Sequence, residues 1–197
     1  MTTFILATAN AHKAHEMQAV LADLDVTLLP RPLDVPDVDE TEDTLEGNAE
    51  LKARALVDAT GYPALADDTG LFVAALEGRP GVRSARYAGE EASYDDNVRK
   101  LLEELHDVPL ERRGAEFRTV IVAAYPDRGS LMVVGTLKGS ITRSPRGSRG
   151  FGYDPVFVPE DETRTLAEMS PEEKNALSHR GHALRALAYA LATRSSS

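Results

Sequence analysis

Ala66-Asp67-Asp68-Thr69-Gly70-Leu71 places two adjacent carboxylates at the end of a short apolar run. The run predicts a buried strand that ends in a turn. Neighbouring residues of an extended strand point to opposite faces, so we expect the two carboxylates to do different work. A divalent metal would offset the cost of burying them, whereas side-chain capping of a turn is the structural alternative.

Composition and charge limit what kind of protein this is. The chain has 197 residues, of which 42% are hydrophobic, so one folded domain is expected. A net charge of −10 disfavours a nucleic-acid partner, although a few converging cations can still hold a small anion. There is no cysteine, which excludes disulfides and a cysteine nucleophile. The sequence shows neither a signal peptide nor an apolar run long enough for a membrane span, so we expect a cytoplasmic protein.

The first sixty residues alternate between strand and helix patterns. Residues 4–7 and 26–29 are short apolar runs that predict strands, and a helix is expected to begin after Asn10. The loop at 30–43 contains three prolines and several acidic residues, and Thr44 is positioned to cap a second helix. This alternation favours an α/β fold.

The remainder of the chain continues the same pattern. A third helix is expected to begin at residue 93 or 94. Residues 117–125 are apolar on both alternating faces, as is typical of a central strand, and residues 131–137 are its predicted hairpin partner. A short strand is expected at 156–158, and the last helix is expected to begin near Ser178.

The segment Thr8-Ala9-Asn10-Ala11-His12-Lys13 is a candidate anion site. It predicts a strand, a tight turn and a helix start, and the free N–H groups at a helix start attract anions. Lys13 opposes the helix dipole there, so it does not favour stability. The plain alternative is a capped turn with a solvated lysine.

A second candidate group lies around the predicted second helix. Asn48 and Lys52 are four residues apart on one helical face, so both can point at one ligand. Glu40 precedes them in an acidic loop that also contains Asp37, Asp39, Glu42 and Asp43. A solvated acidic loop and a surface lysine would be the structural explanation.

Two later segments carry groups suited to a nucleotide. In Gly150-Phe151-Gly152-Tyr153-Asp154-Pro155, Phe151 can stack on a planar base and Asp154 can accept a hydrogen bond from a ring N–H. Lys174, His179 and Arg180 lie at a predicted helix start, where they can bind a phosphate or a base carbonyl. Aromatic packing of a surface loop and solvated charges are the alternatives. Together with Lys13 and Lys52, Lys174 and Arg180 would roughly balance a triphosphate.

In chain order, six stretches resemble the inosine triphosphate pyrophosphatase family, which hydrolyses non-standard purine nucleoside triphosphates: residues 8–13, 46–54, 66–71, 80–87, 150–155 and 172–181. The resemblance implies an elongated α/β domain over residues 1–194, with a frayed tail at 195–197. It implies a long mixed sheet flanked by helices, and two lobes around a central cleft. It also implies Mg²⁺ dependence, a homodimer, and cleansing of the nucleotide pool by hydrolysis of ITP, dITP and XTP to the monophosphate and pyrophosphate.

The resemblance also assigns roles by position. Asp68 corresponds to the general base, and Glu40 and Asp68 correspond to the metal ligands. His179 or Arg180 would face the 6-oxo group that adenine lacks. The substrate-binding positions it implies are Thr8, Asn10, Lys13, Asn48, Lys52, Thr69, Phe151, Gly152, Tyr153, Asp154, Lys174, His179 and Arg180.

Two other interpretations stay open at this point. One is a nucleotide pyrophosphatase with a different base scope, and the other is a nucleotide-binding sensor without turnover. A sensor would not need both Glu40 and Asp68 beside the phosphates, which favours catalysis.

Overall fold

Strand β1 (Thr2–Leu6) lies between two parallel neighbours, β2 (Val26–Leu29) and β3 (Ala64–Val73), in the computed structural model. Helix α1 (Ala11–Leu21) connects β1 to β2, and α2 (Leu45–Thr60) precedes β3. The predicted strand–helix alternation of this part is therefore confirmed. The structure describes residues 2–8, 10–22, 26–36 and 38–194, so the predicted tail at 195–197 lies outside the described residues.

The remaining strands extend this parallel group into a mixed sheet. They are β4 (Pro80–Gly81), β5 (Gly114–Ala124), β6 (Leu131–Ile141) and β7 (Phe157–Pro159). The described strands form one open seven-stranded sheet in the order β2-β1-β3-β5-β6-β7, with β4 antiparallel to β3 and β7 antiparallel to β6. Neighbouring strands β5 and β6 are joined by a connection too short for a parallel crossover, so the predicted hairpin is present.

Local capping chemistry sets where the helices begin. As predicted, Asn10 caps α1 and Thr44 caps α2. Ser93 caps α3 (Tyr94–Glu104) in a capping box, and α5 (His179–Arg194) begins directly after Ser178. The short helix α4 (Pro171–Leu177) was not predicted. None of the described helices combines the length and apolar character that a membrane span requires.

The chain divides into two compact units, each with its own core. The first unit consists of Met1–Asp68, Thr119–Gly135 and Arg180–Ser197, and the second of Thr69–Arg118 and Thr136–His179. The core of the first unit includes Phe4, Leu6, Met17, Leu21, Leu65, Ile121, Leu184 and Leu187. The core of the second unit includes Leu71, Val73, Val98, Leu101, Phe117, Ile141, Phe157 and Leu166.

The expectation that the strand before Asp67 ends in a turn is wrong. Strand β3 continues without interruption to Val73. A Cβ at Gly70 would lie 2.7 Å from the carbonyl oxygen of Gly81, so glycine allows β4 to approach at this point. Beyond it, the Leu71 N–H donates to Ser84 Oγ at 2.8 Å. Gly70 therefore marks a close strand contact rather than a turn.

A similar close approach makes Gly139 a sensitive position in the second unit. A Cβ there would lie 2.2 Å from the Val158 carbonyl oxygen, and backbone atoms cannot move away cheaply. We expect Gly139→Ala to lower the free energy of unfolding by about 1–3 kcal/mol, as overpacking does. Urea denaturation measures the change. The matched control is Gly114→Ala at the start of β5, because a Cβ there meets nothing within 4 Å. Equal denaturation midpoints for the two variants would contradict the packing argument.

Candidate active site

The ammonium group of Lys52 joins two carboxylates in the first unit. Lys52 Nζ lies 2.8 Å from Glu40 Oε1 and 3.2 Å from Asp68 Oδ1. Burial by itself would lower the pKa of Lys52, but Asp68, Asp67 and Glu40 raise it above its usual value. The lysine therefore stays charged and holds Glu40 and Asp68 close together.

Asn48 supports the same carboxylate from one helical turn earlier. Its Nδ2 donates to Asp68 Oδ2 at 3.4 Å and to the Glu42 carbonyl oxygen at 3.2 Å. Its Oδ1 accepts from the Glu42 N–H at 3.0 Å. The spacing of Asn48 and Lys52 thus puts both on one face of α2, while Asn48 also fixes the acidic loop that carries Glu40.

Asp67 has a separate set of partners. Its side chain is fully buried, and Oδ2 lies 3.1 Å from Lys13 Nζ and 3.3 Å from Arg180 Nη2. Burial would raise the pKa of Asp67, but Lys13, Arg180 and Lys52 hold it well below its usual range. The second arm of the Arg180 guanidinium, Nη1, donates to Glu16. Asp67 is therefore an ionised anchor for two cations at neutral pH.

The pKa of Asp68 is shifted in the opposite direction from that of its neighbour Asp67. Burial raises its pKa, Lys52 lowers it, Glu40 raises it, and the balance lies above the usual value. The two aspartates are adjacent in β3, so the difference comes from their partners rather than from the backbone. Groups whose environments push their pKa values apart are suited to different chemical roles.

The turn before α1 sets the position of Lys13. Thr8 Oγ1 accepts from the Asn10 N–H at 3.1 Å, and Asn10 Oδ1 accepts from the N–H groups of His12 and Lys13 at 3.0 and 3.3 Å. These bonds fix the start of α1, from which the Lys13 side chain reaches Asp67. Thr8 and Asn10 thus act on Lys13 through the backbone.

Residues outside the predicted set also hold these groups in place. Glu16, on α1, accepts a hydrogen bond from Arg180, and no pattern in the nearby sequence indicates this contact. On α2, Arg54 donates to Glu50 Oε1, to the Tyr125 carbonyl oxygen and to Ser130 Oγ at 2.9, 3.0 and 2.8 Å. This network ties the helix that carries Asn48 and Lys52 to the β5–β6 hairpin. Glu50 and Arg54 are four residues apart on α2, so the sequence could predict their ion pair. Nothing in the nearby sequence indicates the contact of Arg54 with the hairpin.

In the second unit, Asp154 organises the glycine-containing loop. Asp154 Oδ2 accepts from the Phe151 N–H at 2.8 Å and from the buried ammonium of Lys174. Lys174 Nζ also lies 4.7 Å from the centroid of the Phe151 ring. Gly150 adopts φ +73°, and a Cβ there would collide with Asp154 Oδ2. Lys174 itself lies in α4 rather than at the start of the last helix, contrary to the sequence expectation.

The other predicted residues of the second unit are Thr69, Gly152, Tyr153 and His179. Tyr153 donates through its hydroxyl to the Ser84 carbonyl oxygen at 2.9 Å, and burial raises its pKa. The His179 ring stacks on Phe117, with centroids 4.5 Å apart. Thr69 lies half-buried in β3, and Gly152 adopts φ +63°.

The donor set of the first unit suits a hard divalent cation. Glu40 and Asp68 each place a carboxylate oxygen against the same positive charge, and Mg²⁺ prefers oxygen ligands of this kind. Among residues 2–8, 10–22, 26–36 and 38–194, no cluster of three or more His, Cys, Asp or Glu has the arrangement of a metal site. The two carboxylates would therefore supply only part of the coordination shell of such an ion.

Replacing Asp67 tests its role as an anchor. Asp67→Asn leaves Lys13 and Arg180 beside a neutral amide, and breaking a buried ion pair typically costs about 3–5 kcal/mol. We expect a loss of this size in the free energy of unfolding at pH 7, measured by urea denaturation in EDTA. Asp58→Asn, on the exposed face of α2, is the control and should change stability by less than about 0.5 kcal/mol.

We expect the stability difference between wild type and Asp67→Asn to depend on pH. The pKa of Asp67 is lower in the folded chain than in the unfolded one, so its charge adds stability that is complete above about pH 4. That stability is lost as the pH falls further towards the folded-state pKa. The difference between wild type and Asp67→Asn should therefore shrink below about pH 4, and a difference absent at pH 7 would contradict the anchor role.

A dITP/XTP pyrophosphatase of Streptomyces coelicolor is 50% identical over 194 residues, covering 95% of this chain and 96% of that protein. The structure of a HAM1 protein from Coxiella burnetii is similar with a TM-score of 0.89 and 44% identity, covering 98% of this chain and 100% of the other. The Staphylococcus aureus Ham1 protein gives a TM-score of 0.87 and 36% identity with the same coverage.

The family model described as the Ham1 family matches residues 4–190. The match spans nearly all of the chain, including the stretches around Lys13, Lys52, Asp68, Phe151 and Arg180. The resemblance drawn from the sequence is confirmed, and this chain belongs to the Ham1 family.

Proposed function

We propose that this chain hydrolyses non-standard purine nucleoside triphosphates, ITP, dITP and XTP, to the monophosphate and pyrophosphate, and so cleanses the nucleotide pool. The observation that carries the proposal is the pair of carboxylates, Glu40 and Asp68, held on the Lys52 ammonium. The substrate class is supported by the relative named dITP/XTP pyrophosphatase at 50% identity. The reaction is a water attack that the chain's own groups position and activate.

Asp68 serves as the general base. In the absence of metal its pKa lies above the usual value, which makes its carboxylate a better proton acceptor than an ordinary aspartate. A water oxygen attacks the α-phosphorus and gives its proton to Asp68, while the bond from that phosphorus to the bridging oxygen breaks. Pyrophosphate leaves with the bonding electron pair. Lys52 donates a hydrogen bond to Asp68 and so holds the carboxylate of the base in one orientation.

Charge neutralisation accompanies this step. Glu40 and Asp68 would hold Mg²⁺, which when bound supplies positive charge to the phosphate oxygens. Lys13 and Lys52 add two fixed cations, and Asp67, itself paired with Arg180, holds Lys13 in place. Phosphoryl transfer depends mainly on positioning and on such neutralisation.

The groups that select the base are proposed from the second unit and the start of α5. Phe151 offers a ring for stacking, and Asp154 and Lys174 fix the loop that carries it. His179, whose ring plane is set by Phe117, and Arg180 would present donors to a 6-oxo group. Adenine carries an amino group at that position, and leaving buried donors unpaired discriminates strongly between substrates.

The homodimer and the cytoplasmic location implied by the resemblance are also part of this proposal. Size-exclusion chromatography with light scattering tests the dimer directly. A mass equal to the single chain of 21.3 kDa at micromolar concentration would exclude it.

A product assay tests the proposed reaction. We expect dITP, XTP and ITP with Mg²⁺ to yield monophosphate and pyrophosphate in equal amounts, with ATP turned over at least about 10³-fold more slowly. Release of orthophosphate, or equal rates on ATP and ITP, would contradict the proposal. Tight binding of ITP without turnover would identify a nucleotide sensor instead.

Asp68→Asn supplies the internal control of that assay. Loss of the general base is expected to lower kcat by about 10²–10⁴-fold. Asp127→Asn, an exposed aspartate between β5 and β6, should retain wild-type turnover. Near-normal turnover by Asp68→Asn would remove Asp68 from the base role.

A further inference from the structure

Tyr94 and Phe151 form an aromatic pair in the second unit. Their ring centroids are 5.8 Å apart and their planes are inclined by 42°. Tyr94 is the first residue of α3, and 38% of it is exposed. The separation and tilt are typical of rings that attract each other. Tyr94 therefore borders the ring to which base stacking is assigned.

The main chain at Phe151 is fixed, but this does not fix the ring. The Phe151 N–H donates to Asp154 Oδ2 at 2.8 Å, and Gly150 before it occupies a backbone conformation that favours glycine. The ring still rotates about its side-chain bonds unless its neighbours prevent it. Lys174 Nζ, 4.7 Å from the ring centroid, contacts the ring as a single point charge. An extended surface is needed to set the ring plane, and Tyr94 provides one.

Tyr94 is itself held firmly by the start of α3. Ser93 and Asp96 form a capping box there, with the Asp96 N–H donating to Ser93 Oγ at 3.2 Å. One turn into the helix, Asn97 accepts from the Ala88 N–H at 2.7 Å and donates to the Ala85 carbonyl oxygen at 3.0 Å. The helix start cannot shift without breaking these bonds. The main chain of Tyr94 is therefore held in place, and the contact between the two rings restricts both of them.

We propose that Tyr94 is a positioning residue that holds the Phe151 ring in the orientation needed to stack on the purine of the substrate. The inference rests on the proposed function. The base is remote from the reacting phosphorus, so stacking stabilises the bound substrate and the transition state equally. Loss of Tyr94 should therefore raise KM and leave kcat unchanged.

The test uses three variants of the whole chain. Tyr94→Ala should raise KM for XTP and dITP about twofold to tenfold, the range of an aromatic pair, with kcat within twofold of wild type. Tyr94→Phe keeps the ring and should restore the wild-type KM. Tyr62→Ala, an exposed tyrosine 64% accessible to solvent, is the matched control and should change neither constant.

A second readout does not depend on turnover. Binding of inosine monophosphate, measured by calorimetry, should weaken in Tyr94→Ala by the same factor as KM rises and recover in Tyr94→Phe. Urea midpoints show that the variants are folded, as expected because alanine is a good helix former. Unchanged KM and inosine monophosphate affinity in folded Tyr94→Ala would overturn the proposal. So would a Tyr94→Phe variant as weak as Tyr94→Ala, or a fall in kcat alone.

The two proposals fail differently in this experiment. If wild type binds inosine monophosphate but releases no pyrophosphate, the proposed function is wrong, and the monophosphate affinities alone decide on Tyr94. If wild type does not bind inosine monophosphate at all, the role of Tyr94 in base stacking is overturned as well.

Discussion

A carboxylate without exposed surface must be paired, and Asp67 meets that requirement with two cations on one oxygen, Lys13 and Arg180. The constraint links β3 to α1 and to the start of α5 within the first unit. Arg180 is in turn shared with Glu16, so four charges form one network, of which Asp67 and Arg180 are buried. Because Asp67 pairs with Lys13 and Arg180, the direct ion pair of the next residue, Asp68, is with a different cation, Lys52.

This separation explains how two identical side chains acquire different chemistry. Asp67 faces two cations, which hold its pKa down, while Asp68 shares its cation with a second carboxylate, Glu40. We propose that the two residues of this dipeptide serve as a charged anchor and as a proton acceptor, respectively. The arrangement also explains why the carboxylates of Glu40 and Asp68 tolerate their proximity, since Lys52 lies between them. An enzyme that cleaves a triphosphate needs both features, fixed positive charge and a base.

Much of this could be predicted from local sequence patterns. Asn10 is a residue type that favours helix N-caps, and it directly precedes a helical pattern. The spacing of Asn48 and Lys52 predicted that both lie on one face of a helix. The continuation of β3 could not be predicted, because the role of Gly70 depends on the approach of Gly81, a contact between separate segments. Likewise, the partner of Arg180 is a glutamate 164 positions away, and no local signal connects them. Helix α4 was missed although its capping box was readable.

The roles proposed for Asp67 and Asp68 depend on the opposite shifts of their pKa values. The most direct test of these shifts is a titration of side-chain carboxyl carbons by NMR in EDTA, with the two resonances assigned from Asp67→Asn and Asp68→Asn. We predict that Asp68 titrates above the ordinary aspartate pKa of about 3.9. Asp67 should stay ionised at every pH at which the chain remains folded. Two carboxyls that titrate together near the ordinary value would contradict the account.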